Sequence, residues 1–206
     1  KYESWENNTH LKDLELLQQQ TSYGFSAEDY DLILDSMASQ SKEPTYCMGD
    51  DIPLAVLSSK PHILFDYFKQ RFAQVTNPPI DPLREKLVMS LEMHLGERCS
   101  PFNNTDIKPF IHLDSPIINE KQLQEIKNEK IKTQTISTLF DIESGVNGLE
   151  GRLKEICKES EQSIKNGCAI IILSDKGVNP KNIYIPPLLA VGCVHHHLLK
   201  KEIRLK

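Results

Sequence analysis

The sequence predicts an α/β fold with a helical N-terminal half, followed by alternating strands and helices around a mostly parallel sheet that is truncated at the C-terminus. Apolar residues at helical spacing dominate a mainly helical portion, residues 1–105. Strand-like and helical segments then alternate through a βα portion, residues 106–206. With 206 residues and 39% hydrophobic composition, the chain is long enough to bury a core and too apolar to be disordered.

Four helices are predicted in the helical portion. The first covers residues 4–20 and ends before Gly24. Ser26 is predicted to cap the second helix, and acidic residues that complement the helix dipole follow it. Ser59 caps the third, which carries phenylalanines at helical spacing. Three prolines between residues 77 and 82 then break the chain, and Asp81 caps the fourth helix.

The fourth helix is predicted to continue as far as Gly96. Pro82 is placed at its first position, where the missing N–H costs nothing. Leucines follow at intervals of four residues, which is typical of one helical face: Leu83, Leu87, Leu91 and Leu95.

The βα portion contains three predicted strands and three predicted helices. A continuous β-branched run over 168–173 predicts a strand that is buried on both faces, as in a parallel sheet. The other predicted strands are 110–113 and 133–139, and the predicted helices are 119–132, 149–166 and 187–199.

Charge and cysteine content exclude several functional classes. The net charge of −5 does not favour binding to nucleic acid or to an anionic membrane. The five cysteines contain no C-x-x-C pair, so we expect reduced structural thiols rather than a metal or redox motif. They are Cys47, Cys99, Cys157, Cys168 and Cys193.

No motif predicts catalysis. The side chains of His195, His196 and His197 point about 100° apart on a helix, so they do not converge on a metal. We expect one of them to be buried and hydrogen-bonded. The glycine-rich stretch 145–152 lacks the spacing of a phosphate-binding loop and predicts a turn and a helix start.

We also expect structural roles for two groups of charged residues. Asp50 and Asp51 are adjacent in a loop. Paired carboxylates can share a proton or hold a cation, but in a loop they more often cap a helix or accept bonds from backbone amides, which is the role we expect. Arg84 and Glu85 follow Asp81 in a first helical turn, and we expect a buried ion pair or an interface contact there rather than acid–base catalysis.

Three stretches carry a resemblance to a known family. They are Cys-Met-Gly-Asp-Asp-Ile-Pro-Leu-Ala-Val-Leu-Ser at 47–58, residues 66–85 with Asn-Pro-Pro-Ile-Asp-Pro-Leu-Arg-Glu, and Ile-Pro-Pro-Leu-Leu-Ala-Val-Gly at 185–192. This sequence resembles the central domain of the glutamate synthase family along nearly its whole length. Residues 46–48, which lead into the first of these stretches, are most similar to those of the ferredoxin-dependent form of cyanobacteria and plastids.

The resemblance implies that the chain is an internal part of a large oxidoreductase. That parent makes L-glutamate from L-glutamine and 2-oxoglutarate with electrons from ferredoxin, although a pyridine-nucleotide donor stays open. It has a glutamine amidotransferase domain, and its FMN and [3Fe–4S] cluster are bound outside this segment. The implied location is the plastid, in the chloroplast stroma, or alternatively the cyanobacterial cytoplasm. We expect the segment alone to be inactive.

The family role implied for this segment is to link the glutaminase and FMN-binding domains and to wall an ammonia tunnel. Weak, uncharged hydrogen-bonding groups suit a tunnel wall, because strong charges would trap ammonia. The tunnel or domain-interface candidates are Gly49, Asp50, Asp51, Ile52, Thr76, Asn77, Asp81, Arg84 and Glu85. The alternatives are a purely structural spacer and a stand-alone module that binds a small ligand.

Overall fold

The structure, a computed structural model, describes residues 13–41, 44, 55–59, 62–68, 81–97, 102 and 109–204. The chain forms two compact units, Lys1–Asn77 and Pro78–Lys206. The predicted α/β class is confirmed, with a helical N-terminal half and small parallel and antiparallel sheets. None of the helices in these ranges combines the length and the apolar character that crossing a membrane requires.

The described part of the first unit is helical. Helix α1 (Asp13–Ser22) ends before Gly24, as predicted. A π-helical segment (Asp29–Leu34) continues directly into helix α2 (Asp35–Gln40). Where the third helix is predicted, the described residues contain a short 3₁₀ helix, Leu64–Phe68.

The predicted start of the second helical segment at Ser26 is confirmed. The backbone N–H and the hydroxyl of Ser26 both donate to Oδ2 of Asp29, each at 2.7 Å. The backbone N–H of Asp29 donates in return to the Ser26 hydroxyl at 3.2 Å. These bonds satisfy backbone groups that lack helical partners, and they hold the pKa of Asp29 below its ordinary value.

The second unit begins with helix α3 (Pro82–Val88), which is much shorter than predicted. The predicted continuation through Leu91 and Leu95 is wrong. Residues Met93–Gly96 form strand β1, which pairs antiparallel with strand β2 (Phe110–Leu113). A spacing of four residues is also an even spacing, so the same leucines fit one face of a strand.

The rest of the second unit alternates strands and helices, as predicted. Asn119 starts helix α4 with a capping box, in which its side chain accepts from the backbone N–H of Gln122 at 2.8 Å. In chain order the elements are α4 (Glu120–Asn128), β3 (Thr133–Ser137), β4 (Leu139–Asp141), α5 (Gly145–Lys165), β5 (Ile170–Ser174), β6 (Asn182–Tyr184) and α6 (Pro187–Lys200).

The strands of the described part form three pairs. Strands β3 and β5 are parallel, in a register that runs from Thr133 opposite Ile170 to Ser137 opposite Ser174. Strands β4 and β6 are antiparallel, as are β1 and β2, so the parallel character is confined to one pair.

Thr138 lies between β3 and β4 and is buried, at 3% exposure. Its backbone N–H donates to the carbonyl of Ser174 at 2.8 Å, and its own carbonyl accepts from the N–H of Ile185 at 3.0 Å. The two backbone groups of a strand residue point to the same edge. The end of β5 and the end of β6 therefore meet at one residue.

Helix α5 begins at Gly145, earlier than predicted, and it takes the glycine-rich stretch into its first turns. Gly148 allows a close approach there. A Cβ at this position would lie 2.5 Å from Cβ of Ser144 and 3.3 Å from the carbonyl oxygen of Asp141. The absence of a side chain therefore lets α5 pack tightly against the preceding turn.

The core lies between β3, α5 and α6. Ile156 and Ile185 are fully buried at 0% exposure, and Leu153 and Ile164 of α5 pack against the core. The buried core residues are Ile136, Ile156, Cys157, Ile185, Ala190, Val194 and Leu198.

Candidate interface surface

Asp81 caps helix α3, as the sequence predicts. One carboxylate oxygen accepts from the backbone N–H groups of Leu83 and Arg84, both at 3.0 Å. The other accepts from Nε of the Arg84 side chain. These hydrogen bonds hold the pKa of Asp81 below its ordinary value, and the bond from the Arg84 guanidinium has the largest effect.

The expectation of a buried ion pair at this turn is wrong. The Arg84 side chain is 71% exposed, and Glu85 is exposed as well. None of the residues of α3 is buried, so no packed face of this helix encloses the ion pair. Asp81, Arg84 and Glu85 thus form a polar group on the surface, which leaves the interface interpretation of these three residues open.

The apolar side chains of α3 face solvent beside this polar group. Leu83 is 93% exposed and Leu87 is 81% exposed. The exposed apolar residues of this segment, which we call the α3 apolar surface, are Leu83, Leu87, Val88, Met89 and Leu91. Apolar patches with a polar border are typical of surfaces that pack against protein.

An open cavity of mixed polar and apolar lining lies beside β5. A cavity of about 470 Å³ is lined by strand β1, strand β5 and helix α6. Within the described ranges, β3 is the only strand that pairs with β5, so the other edge of β5 borders this cavity. Its polar lining includes His94, His195 and Arg204, and Nε of Arg204 donates to Nδ1 of His195 at 3.1 Å.

The three consecutive histidines have different hydrogen-bond partners, and none of the three is buried, so the expectation of one buried histidine is wrong. His195 accepts from Arg204, His196 is exposed, and Nε2 of His197 lies 2.9 Å from a Glu161 carboxylate oxygen. Across the described part of the chain, no group of three potential ligands could hold a metal ion.

Glu161 of helix α5 joins that helix to α6. One oxygen accepts from Nζ of Lys165 at 2.6 Å, and the other contacts His197 at 2.9 Å and Lys201 at 3.9 Å. The side chain of Glu161 is only 18% exposed. The cation of Lys165 and the bond to His197 lower its pKa to about 2.

We expect the Glu161→Gln variant to lose stability only where the carboxylate is ionised. A lowered pKa in the folded state gives stability above the ordinary value of 4.5, and this stability is lost as the pH falls through about 2. Urea midpoints of variant and parent chain should therefore differ at neutral pH and converge in acid. Glu150→Gln, on the exposed side of α5, is the matched control and should change the midpoint little. A midpoint difference that is constant from neutral pH to pH 2 would contradict this role.

Arg152 is a structural residue that the sequence analysis does not single out. Its guanidinium donates to the Ser137 carbonyl at 2.7 Å, to Glu159 at 2.6 Å and to Glu155 at 2.9 Å. The two glutamates three and seven residues further along the same helix are the signal that could have identified the ion pairs. The bond to β3 depends on tertiary packing, and no sequence pattern indicates it.

The remaining candidates are not placed. Gly49, Asp50, Asp51, Ile52, Thr76 and Asn77 lie outside the described residues. Their assignment to a tunnel or a domain interface stays a prediction.

Comparison with known proteins identifies the relatives of this chain. A family model described as the glutamate synthase central domain matches residues 18–206. A protein of Pyropia yezoensis named ferredoxin-dependent glutamate synthase is 50% identical in an alignment of 192 positions that covers 92% of this chain. Ferredoxin-dependent glutamate synthase 2 of Synechocystis sp. is 51% identical in an alignment of 196 positions that covers 93% of the chain.

A plant protein is equally similar. The chloroplastic ferredoxin-dependent glutamate synthase of Oryza sativa subsp. japonica is 49% identical in an alignment of 198 positions that covers 92% of this chain. The matched region is 12% of the length of each of these three relatives. The chain therefore corresponds to a small portion of each of these proteins.

Proposed function

This chain belongs to the glutamate synthase central domain family, and we propose that it joins the glutaminase domain to the FMN-binding domain of a ferredoxin-dependent glutamate synthase. The proposed parent hydrolyses L-glutamine at one site and passes the ammonia to a second site. There 2-oxoglutarate becomes 2-iminoglutarate, which is reduced to L-glutamate. The names of the three relatives support this parent activity and ferredoxin as the donor.

The α3 apolar surface is the observation that carries the linking role. Leucines at 93% and 81% exposure are costly in water, because burial of such a side chain is worth about 1.5–3 kcal/mol. The polar group of Asp81, Arg84 and Glu85 borders this surface. We propose that other domains of the parent cover it, as they cover the cavity beside β5.

The cofactors of the parent are proposed to lie in its other domains. A [3Fe–4S] cluster needs several cysteine thiolates that converge. In the described part, Cys157 and Cys193 contact each other, and Cys168 lies separately at the start of β5. These thiols do not fit a cluster, so we assign no cofactor ligand to them. The proposed location of the parent is the plastid, or alternatively the cyanobacterial cytoplasm.

We further propose that this segment walls the ammonia path. Thr76 and Asn77 carry a hydroxyl and an amide, which can bind neutral ammonia weakly, and residues 49–52 are a second candidate segment. A wall must exclude water, because ammonia that reaches water is protonated and lost. The alternative is a spacer that only fixes the distance between two sites.

The two roles differ in the coupling of the two reactions, so we would measure coupling in the full-length parent. Asn77→Trp should obstruct the path, and the glutamine hydrolysed per 2-oxoglutarate consumed should rise above one while free ammonia accumulates. Asn77→Ala and Lys154→Trp are the controls, the latter with the same bulky side chain at an exposed position of α5. Both controls should remain coupled.

A coupled Asn77→Trp enzyme that releases no ammonia, with the same result for Thr76→Trp, would reject the tunnel role and leave the spacer. Loss of both reactions in parallel would also count against the tunnel, because it indicates a folding defect rather than a leak. The linking role has a separate test. Leu83→Asp with Leu87→Asp should weaken the contact between domains, which limited proteolysis of the parent measures.

A further inference from the structure

Two thiols face each other where helices α5 and α6 pack. Sγ of Cys157 lies 3.5 Å from Sγ of Cys193, and both cysteines are reduced. The sulfur atoms of a disulfide are about 2.05 Å apart. The two sulfurs therefore need to approach by only about 1.5 Å.

A second contact fixes the alignment of these helices. Glu161 and His197 lie one turn beyond the two cysteines on their respective helices, and their side chains are 2.9 Å apart. Both contacts join residues that are 36 positions apart in the chain. The helices consequently run side by side in the same direction, and local side-chain rotation, rather than sliding of one helix, can bring the sulfurs together.

The two thiols differ in their access to solvent. Cys157 is buried at 5% exposure, whereas Cys193 is partly exposed. Burial, together with the contact to Cys193, raises the pKa of the Cys157 thiol to about 12. Cys193 is thus the sulfur that a reagent can reach first, and Cys157 is placed to react second.

We propose that Cys157 and Cys193 are a site of reversible disulfide formation, at which a small-molecule disulfide oxidises the pair and covalently joins α5 to α6. This inference does not depend on the proposed function of the parent, because it rests only on the contact between the two helices.

The chemistry is thiol–disulfide exchange in two steps. The Cys193 thiol loses its proton, its sulfur attacks one sulfur of glutathione disulfide, and one glutathione thiolate leaves. The Cys157 thiol then loses its proton, and its sulfur attacks the Cys193 sulfur of the mixed disulfide. The second glutathione thiolate leaves. Two protein thiols are oxidised, one small disulfide is reduced to two thiols, and both protons go to solvent or to the leaving thiolates.

The test uses the full-length protein that contains this chain, incubated in glutathione buffers of increasing oxidised fraction. The reaction is quenched with acid, free thiols are alkylated after denaturation, and peptides are identified by mass spectrometry. We expect a linked peptide that joins Cys157 to Cys193, in at least about tenfold excess over any peptide that links either cysteine to Cys168. A reductant should restore both free thiols. The rate should increase with pH, because the buried thiol must lose its proton.

Two single variants test the order of attack. Cys157→Ser should leave glutathione bound to Cys193, whereas Cys193→Ser should leave Cys157 unmodified, since the buried thiol is out of reach. The inference is overturned if both cysteines stay fully alkylated in the most oxidising buffer. It is equally overturned if the native protein and the urea-unfolded protein give the same distribution of disulfide-linked cysteine pairs.

Discussion

Replacing Ile156 by Ala should lower the free energy of unfolding by about 2–5 kcal/mol, the range for truncation of a fully buried branched side chain. Ile156 is 0% exposed and lies on α5 within the core that also contains Ile136 and Ile185. Removal of its methyl groups loses the burial of apolar surface and leaves a cavity that β3 and α6 close only in part. Urea unfolding of the 206-residue chain, or of a longer piece of its parent that unfolds in one transition, measures the change.

The control for this variant is Ile117→Ala. Ile117 is 73% exposed, so the same chemical change should alter the free energy of unfolding by less than about 0.5 kcal/mol. If the two variants lose similar stability, then the core is not centred on α5, and the described packing of the second unit is wrong.

The Arg152→Met variant should lose about 1.5–3 kcal/mol, because hydrogen bonds to charged groups are broken in a partly buried place. The guanidinium is 18% exposed and joins two glutamates of α5 to the Ser137 carbonyl of β3. Methionine keeps the apolar contacts of the side chain. It leaves Glu155 and Glu159 next to each other without their shared cation.

Lys154→Met is the matched control on the same helix. The Lys154 side chain is 74% exposed and lies 3.7 Å from Glu150, so its loss should cost no more than about 1 kcal/mol. High salt should weaken the effect of the control more than that of Arg152→Met, since the bond to the Ser137 carbonyl is not an exposed ion pair. Equal effects of the two variants would show that the bond from α5 to β3 contributes nothing.

Local signals in the sequence predicted several elements well. Ser26 and Asp81 each start a helix through bonds to their own first turn, so nearby residues suffice to predict them. Helix α6 begins at the second of two prolines and is apolar in its first half, and β5 contains three consecutive isoleucines. These features depend on a few neighbouring residues, and their interpretation does not require the tertiary fold.

The errors occurred where tertiary contacts decide the structure. The leucine spacing after Val88 fits a helix or a strand, and pairing of β1 with β2 places Leu95 in a strand, whereas Leu91 lies in neither element. Helix α5 starts within a glycine-rich stretch because the turn at Ser144 packs against Gly148. The Arg84 side chain is exposed for a similar reason, because α3 ends before it can form a buried face.

The candidate site could be predicted only in part. Resemblance to relatives selected Asp81, Arg84 and Glu85, but the exposure of Leu83 and Leu87 beside them required the structure. The contact between Cys157 and Cys193 could not be predicted either, since 36 residues separate them in the chain.

Thr138 makes two backbone hydrogen bonds, one to the end of β5 and one to the residue after β6, and this has a practical consequence. Residues 175–184 lie between the two residues that bond to Thr138, Ser174 and Ile185, so both ends of this segment are fixed by backbone hydrogen bonds. Lengthening such a loop is inexpensive, since each doubling adds only about 0.6 kcal/mol of closure entropy. A fluorescent tag or a short epitope spliced in at Gly177, which is exposed, should leave the strand register intact. A full-length protein labelled in this way would report distances between this segment and the other parts of the protein.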